Sequence, residues 1–415
     1  LENIQSSSTE TELLAQSAQL SNSQELLSSG VDSFYLKIVF FLLIIAGIPL
    51  FPKNWHNYFK ISAFKIWILL VLISTFFSID HRLSNLTICH LFACGICLLV
   101  GEKLLKENEF FSHKVLFPIL SISLFTTFMF AFQQHYGGLE DLRKSVLQLV
   151  PEERLSEEFL RRINSTRVYG TMIYPNSLAG LIMLLLPACL CALWNLSEKI
   201  PQIVKMLAVG ILGYMGVASL YWTKSKTAWL IVLLLAVLTI FIKANLSKKI
   251  KTVVAILLVC MGTIAFFTVH SDYFKRGATS VTARFDYWQA AVANTVKNPI
   301  IGTGPGTFGI CYQKLKKPES EMARLCHNDY LEQFTDSGIP AGLAWLIFIL
   351  AYSKKIITNL KNYSAINYCI ALGLLAFILQ AFTEFSLYIP AIALPFFTLL
   401  GGLNHVRLSD NNSVQ

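Results

Sequence analysis

The sequence predicts an all-α, polytopic membrane protein of about eleven to twelve transmembrane helices, with a long polar loop late in the chain. Three observations carry this. The 415 residues are 54% hydrophobic and only 14% charged, with a mean hydropathy of +0.55, whereas soluble domains carry about a quarter charged residues. The apolar residues come in continuous runs near the ~20 residues that take a helix across a hydrocarbon core of ~30 Å. The runs do not alternate as barrel strands would, and in lipid only helices or closed barrels satisfy the backbone.

Residues 1–33 are rich in Ser, Gln and Glu, carry Glu2, Glu10, Glu12, Glu25 and Asp32, and lack Lys and Arg. This composition predicts a disordered acidic segment. It has neither the basic start nor the apolar stretch of a signal peptide. The chain begins at Leu1, so a preceding helix is an open expectation. A polytopic membrane domain then covers 34–405. Its eleven candidate spans lie near 34–51, 64–79, 84–101, 115–133, 172–194, 203–222, 227–243, 252–269, 338–352, 366–383 and 389–404. Those at 64–79, 227–243 and 338–352 are short, as tilted or broken helices would be. Residues 406–415 form a short tail.

Lysines orient the spans. Lys53, Lys60 and Lys65, then Lys243, Lys248, Lys249 and Lys251, then Lys354, Lys355 and Lys361 all fall on one side of an eleven-span chain. That side is expected to be cytoplasmic. The acidic start then lies outside, and His405 and Arg407 lie inside. The net charge of +9 reads as this lysine excess. It does not indicate nucleic-acid binding, because no basic stretch is interleaved with aromatics on a soluble domain. Two long polar segments, 134–171 and 270–337, face outward, as does Thr223-Lys224-Ser225-Lys226.

Seven of the nine cysteines (Cys89, Cys94, Cys97, Cys189, Cys191, Cys260 and Cys369) sit in apolar runs and read as small buried hydrophobes. No Cys pair has a partner at zinc spacing, so no metal site is expected. Cys311 and Cys326 share one outward loop, where a disulfide could form in an oxidising compartment.

The outward segments gather cations: Arg161, Arg162, Arg167, Lys224, Lys226, Lys275, Arg276, Arg284 and Arg324. Arginine offers phosphate a planar fork and lysine a point charge, so a phosphorylated lipid headgroup is a natural partner. For Arg161, Arg162 and Arg324 the plainer reading is ion pairing with Glu152, Glu153, Glu157, Glu158 and Asp286. Arg167, Lys226 and Arg284 sit at span edges and read as functional. His327, in Cys326-His327-Asn328-Asp329-Tyr330, is of the type best poised to exchange a proton near neutral pH. Tyr174-Pro175-Asn176-Ser177 opens a span: Pro175 suits a helix start, and Asn176 or Ser177 would cap it. Gly302-Thr303-Gly304-Pro305-Gly306 is expected to be a tight turn. It lacks the third glycine and the βαβ setting of a nucleotide loop. No G-x-S-x-G elbow is present. Intramembrane acids are scarce, with Glu384 the main exception.

In this order the pieces resemble the O-antigen ligase and polymerase superfamily of bacterial envelope glycosyltransferases. His327-Asn328, followed after nine residues by Gly338-Ile339-Pro340, is similar to the ligase signature, with Ala341 departing at its end. Arg167 with Gly170, Pro175, Asn176 and Ala179 resembles the family's Arg…Gly…Pro-Asn…Ala segment. Thr223-Lys224-Ser225-Lys226 resembles its Thr-x-Ser-Arg element, with lysine for arginine. Arg284-Phe285-Asp286-Tyr287-Trp288 and Glu384-Phe385 with Ile389-Pro390 are similar to its flanking segments. The likeness runs from about 165 to 405.

The resemblance implies a glycosyltransferase C-like fold with two periplasmic loops, 134–171 and 270–337, in the bacterial inner membrane. It implies inverting, metal-independent and cofactor-free transfer of a glycan from undecaprenyl diphosphate at the periplasmic face, with a lipid A–core sugar as acceptor. His327 would act as base beside Asn328, and Arg167, Lys226 and Arg284 would hold the diphosphate. Polymerisation of lipid-linked repeats is the first alternative. A transporter or flippase without chemistry is the second, disfavoured by the lack of an inverted repeat. The short tail ending at Gln415 disfavours the protein-glycosylating branch.

Overall fold

The computed structural model describes residues 63–107, 115–155, 157–269, 279–317 and 320–404. The acidic start, the expected span at 34–51, Lys53, Lys60, Lys275, Arg276, His405, Arg407 and the tail lie outside these residues. Within them every regular element is a helix or helical turn.

Ten helices cover the ten expected spans that fall in the described residues. They are α1 (Ala63–Phe76), α2 (His81–Glu107), α3 (Phe117–Gln133), α6 (Pro175–Trp194), α7 (Gln202–Trp222), α8 (Lys226–Lys243), α9 (Lys248–Val269), α12 (Asp329–Asn359), α13 (Ala365–Gln380) and α14 (Pro390–Asn404). The long polar segments 134–171 and 270–337 hold four more: α4 (Leu139–Leu149), α5 (Glu157–Ile163), α10 (Thr279–Lys297) and α11 (Phe308–Leu315). Among the described residues six stretches are long and apolar enough to cross a membrane: His81–Lys103, Phe117–Leu149, Pro175–Trp194, Gln202–Trp222, Lys226–Lys243 and Asp329–Asn359.

Helix α6 is the hub. It packs against α13, α7, α3, α14 and α8, and residues Ser177–Leu186 are buried without interruption. A helix apolar on every side belongs in the middle of such a bundle. Helices α7 and α8 instead turn apolar side chains away from the protein, including Ile211, Tyr214, Val217, Leu230 and Leu234. In water such a surface would be a liability; against acyl chains it is the expected face.

Successive helices alternate, so the loops fall at two ends. At one end the loops bond to each other: the Ile79 N–H to the Thr303 carbonyl at 2.9 Å, Val168 N–H to Trp222 at 3.3 Å, and Asp329 N–H to Ala381 at 2.8 Å. At the other end lie Lys243, Lys248, Lys249, Lys251 and Lys361, where the Lys243 ammonium donates to the carbonyls of Lys361 (3.1 Å) and Tyr363 (3.3 Å).

The expected short span at 338–352 is part of a longer helix that starts nine residues earlier, at Asp329. Helix α12 is broken at Gly338, with φ 83° and ψ 170°, a backbone region essentially reserved for glycine. The glycine turn 302–306 docks into the break. Thr303 and Gly304 N–H groups donate to the Asp336 carbonyl at 3.0 and 2.8 Å, and Ile339 N–H donates to Pro299 at 2.8 Å. The turn that its composition predicted is thus also a clasp on α12.

Candidate active site

The loop end that carries these bonds also gathers most of the charged residues singled out in the sequence. Their centre is Glu384, in the link between α13 and α14, which is 4% exposed. One of its oxygens pairs with the Arg284 guanidinium and accepts a 2.6 Å bond from the Asn176 amide. The other lies 3.5 Å from His327 Nδ1, a contact that is an ion pair only when the imidazole is protonated. Arg167 joins through Asn176, whose side-chain oxygen accepts from Arg167 Nη2 at 2.6 Å. One buried carboxylate therefore links two guanidinium groups and the imidazole.

Backbone carbonyls fix the arginines from behind. Arg167 Nε donates to Thr223 at 2.7 Å, and Arg284 Nε donates to Thr383 at 3.0 Å. Thr223 precedes the Lys224-Ser225-Lys226 turn, where Lys224 sits in the left-handed region at φ 49° and bonds Thr166 at 2.8 Å. Lys226, at the start of α8, feels the charges of both Arg167 and Arg284. The three cations proposed for a diphosphate thus lie together.

His327 also occupies the left-handed region, at φ 53°, a conformation uncommon outside glycine. Its ring lies against Tyr287, nearly parallel at 5.6 Å between centroids, and against the edge of Phe385 at 4.7 Å. Asn328 caps α12, its side-chain oxygen accepting from the N–H groups of Tyr330 and Leu331 at 3.0 Å each. That oxygen is engaged in the helix start beside His327.

Burial pushes the Glu384 carboxyl upward, but His327, Arg284 and Asn176 outweigh it and hold the group below its ordinary value. It is therefore the ionised hub. Burial draws the Arg167 guanidinium down from its usual value; Glu384 opposes this and Arg284 adds to it. Arg167 and Arg284 converge on the one carboxylate of Glu384, and partly desolvated guanidinium groups of this kind favour an added anion.

Three further buried acids lie on one face of α12, at i, i+3 and i+7: Asp329, Glu332 and Asp336, exposed 0%, 0% and 1%. Each ties down a loop by accepting a backbone N–H. Asp329 takes Leu387 at 3.0 Å, just beyond Glu384. Glu332 takes Cys326 at 2.6 Å, just before His327. Asp336 takes Gly306 at 2.5 Å in the clasp. Similarly, Gln134 accepts from Tyr169 (3.0 Å) and Gly170 (2.8 Å) and donates to the Gly170 carbonyl (2.9 Å), pinning the segment that carries Arg167.

Other sequence expectations resolve differently. Asn176 and Ser177 do not cap α6. The cap position is Tyr174, without a side-chain bond, and Pro175 takes the first turn. Arg161 is ion-paired with Glu321 at 3.0 Å, an acid outside the set the sequence suggested for it. Cys311 and Cys326 are both free thiols; the buried Cys326 donates to the Asn328 carbonyl at 3.2 Å. Glu384 and Asn176 are the site residues the sequence did not assign. The isolation of Glu384 between the last two apolar runs was their available signal. The α12 acids were hidden in a segment read as polar loop.

Among the described residues no group of three or more His, Cys, Asp or Glu is arranged to hold a metal ion. A family model described as O-antigen ligase matches residues 215–346. The matched stretch contains Lys226, Arg284, His327 and Asn328. No curated protein matches the chain at a significant level. The match supports a multi-pass membrane glycosyltransferase of the O-antigen ligase and polymerase type, the same superfamily the sequence resembles.

Proposed function

We propose that this chain transfers a glycan from undecaprenyl diphosphate to an acceptor hydroxyl, as an O-antigen ligase with a lipid A–core sugar as acceptor. The observation that carries the reading is the Glu384 hub, which joins Arg167, Arg284 and His327 at one end of the bundle. The lysine-rich loops at the opposite end support an inner-membrane protein with the site facing the periplasm.

A glycosyl diphosphate carries a good leaving group, so its departure needs neutralised charge more than a general acid. Arg167, Lys226 and Arg284 hold the diphosphate as it takes the electron pair of the breaking bond from the anomeric carbon. His327 accepts the proton of the acceptor hydroxyl as its oxygen attacks that carbon from the opposite face, which inverts the centre. Glu384 stabilises the imidazolium and orients the guanidinium groups. Asn328 fixes the helix start next to the base. No step in this scheme calls for a metal or cofactor.

The test is to delete the gene in its host, return wild-type and His327→Ala copies, and analyse surface polysaccharide by gel and lipid extraction. Long chains left on undecaprenyl diphosphate over bare lipid A–core are expected without active protein. Single repeats on the core with no ladder would instead assign polymerisation. Unchanged glycans would remove the transferase reading.

A further inference from the structure

Between α3 and the Arg167 segment lies a helix that the site does not use. Helix α4 (Leu139–Leu149) has no buried residue. Its sequence LEDLRKSVLQL is nonetheless strongly two-sided. Leu139, Leu142, Val146 and Leu149 follow one another at i, i+3, i+7 and i+10, an arc of roughly 80° at 3.6 residues per turn. Glu140, Asp141, Lys144 and Gln148 occupy the opposite side, Arg143 and Ser145 flank the two edges of the arc, and Leu147 lies beyond Arg143. On the apolar arc Leu142 is 46% and Leu149 82% exposed. A stripe of this kind is not built to face water.

Its setting indicates what covers it. Helix α3, directly upstream, turns Ile119, Ile122, Phe125, Met129 and Phe130 away from the protein, and α3 is the uniformly apolar part of the stretch Phe117–Leu149, of which α4 is the two-sided end. The helical path breaks at Tyr136 and Gly137, where Gly137 takes φ 126°, so α4 departs from the line of α3 where the crossing helix ends. Aromatic rings mark this level: His135 stacks on Trp222 at 3.8 Å, and Tyr136 meets the same indole edge-on at 5.8 Å. Such rings favour the headgroup depth of a bilayer. The apolar arc of α4 therefore continues the lipid-facing surface of α3 at the boundary, and Arg143, beside the arc, has the long stem that lets a charge reach water from there.

We propose that α4 lies in the plane of the membrane, with Leu142, Val146 and Leu149 in the acyl boundary and Glu140, Lys144 and Gln148 in water. The segment leading to Arg167 is then moored to the bilayer surface from which a lipid-linked substrate arrives. The proposal rests on the helix and its neighbours alone, and stands or falls independently of the reaction.

The test is collision accessibility of nitroxide labels on the full chain in phosphatidylethanolamine–phosphatidylglycerol nanodiscs. Labels go singly at positions 140, 142, 148 and 149, after replacement of the exposed Cys89 and Cys260. Labels at 142 and 149 should collide severalfold more with oxygen than with a water-soluble nickel chelate, and those at 140 and 148 the reverse. Equal access to nickel at all four sites would place α4 in water. Shielding of 142 and 149 from both agents would mean a protein partner or a second copy covers the arc. Either result overturns the proposal. Labelling of unmodified protein by a diazirine lipid supplies a second measurement should a labelled variant not fold. Adducts on Leu142 and Leu149 are expected, and their absence from peptide 139–149 counts against membrane contact.

Discussion

Replacement of Glu384 by alanine removes the one anion that Arg284, Asn176 and His327 share. The carboxylate is buried, and the Arg284 side chain is 16% exposed, so water cannot readily take its place. Removing one partner of a buried ion pair costs about 3–5 kcal/mol, because the other charge is left uncompensated. The 2.6 Å bond from Asn176 is lost as well, while Arg284 keeps its bond to the Thr383 carbonyl, so a loss within that range is expected. Glu384→Gln keeps an acceptor of the same shape but no charge, and falls between alanine and wild type. The pH dependence has a definite sign. The folded-state carboxyl is held below its ordinary value, so its stabilisation is fully present above the unfolded value and is lost as pH falls through the folded one. Wild type should therefore lose an increment of stability below about pH 4 that both variants lack. The assay is thermal unfolding of detergent-purified protein by intrinsic fluorescence from pH 3 to 8, with Glu140→Ala as surface control. Glu384→Ala matching that control across the range would refute the reasoning.

Three other outcomes follow from the same geometry. Gln134→Ala leaves the Tyr169 and Gly170 backbone groups without their acceptor or donor, at about 1–3 kcal/mol for each that stays dry. Limited proteolysis should then cut between 164 and 174 faster than in wild type; unchanged cutting would contradict the clamp. Gly338→Ala forces a side chain into a region that costs of order 1–3 kcal/mol and against the Ile300 carbonyl, so a lower thermal midpoint is expected; an unchanged midpoint would speak against the clasp. Cys311 and Cys326 should both alkylate in denatured protein without reductant, and intact mass should not change when reductant is added.

Helices and their order were legible because lipid imposes one rule, an apolar run of fixed length, which a sequence displays directly. Two of the candidate cations stood out for a related reason: Arg167 and Lys226 lie close to the starts of apolar runs, where charge is costly, whereas Arg284 lies within the polar segment 270–337. The break in α12 was foreshadowed by its short apolar half, but its polar half was not. Asp329, Glu332 and Asp336 are buried by protein rather than lipid, and their partners are backbone N–H groups of distant loops, which leave no mark in composition. Asn176 was misjudged because asparagine near a helix start usually serves the local backbone, whereas here it reaches Glu384, 208 residues away in the sequence, and ties it to Arg167. Glu384 stood out as an isolated acid, yet its role depends on contacts between five segments that only the folded chain brings together.

The most direct measurement is transfer by purified protein in proteoliposomes, given an undecaprenyl-diphosphate glycan and lipid A–core, with wild type compared against His327→Ala and Arg284→Ala. The account predicts glycosylated acceptor and free undecaprenyl diphosphate from wild type. It predicts loss on the order of 10²–10⁴-fold in each variant, with both eluting as folded protein. Transfer by His327→Ala at the wild-type rate would contradict it.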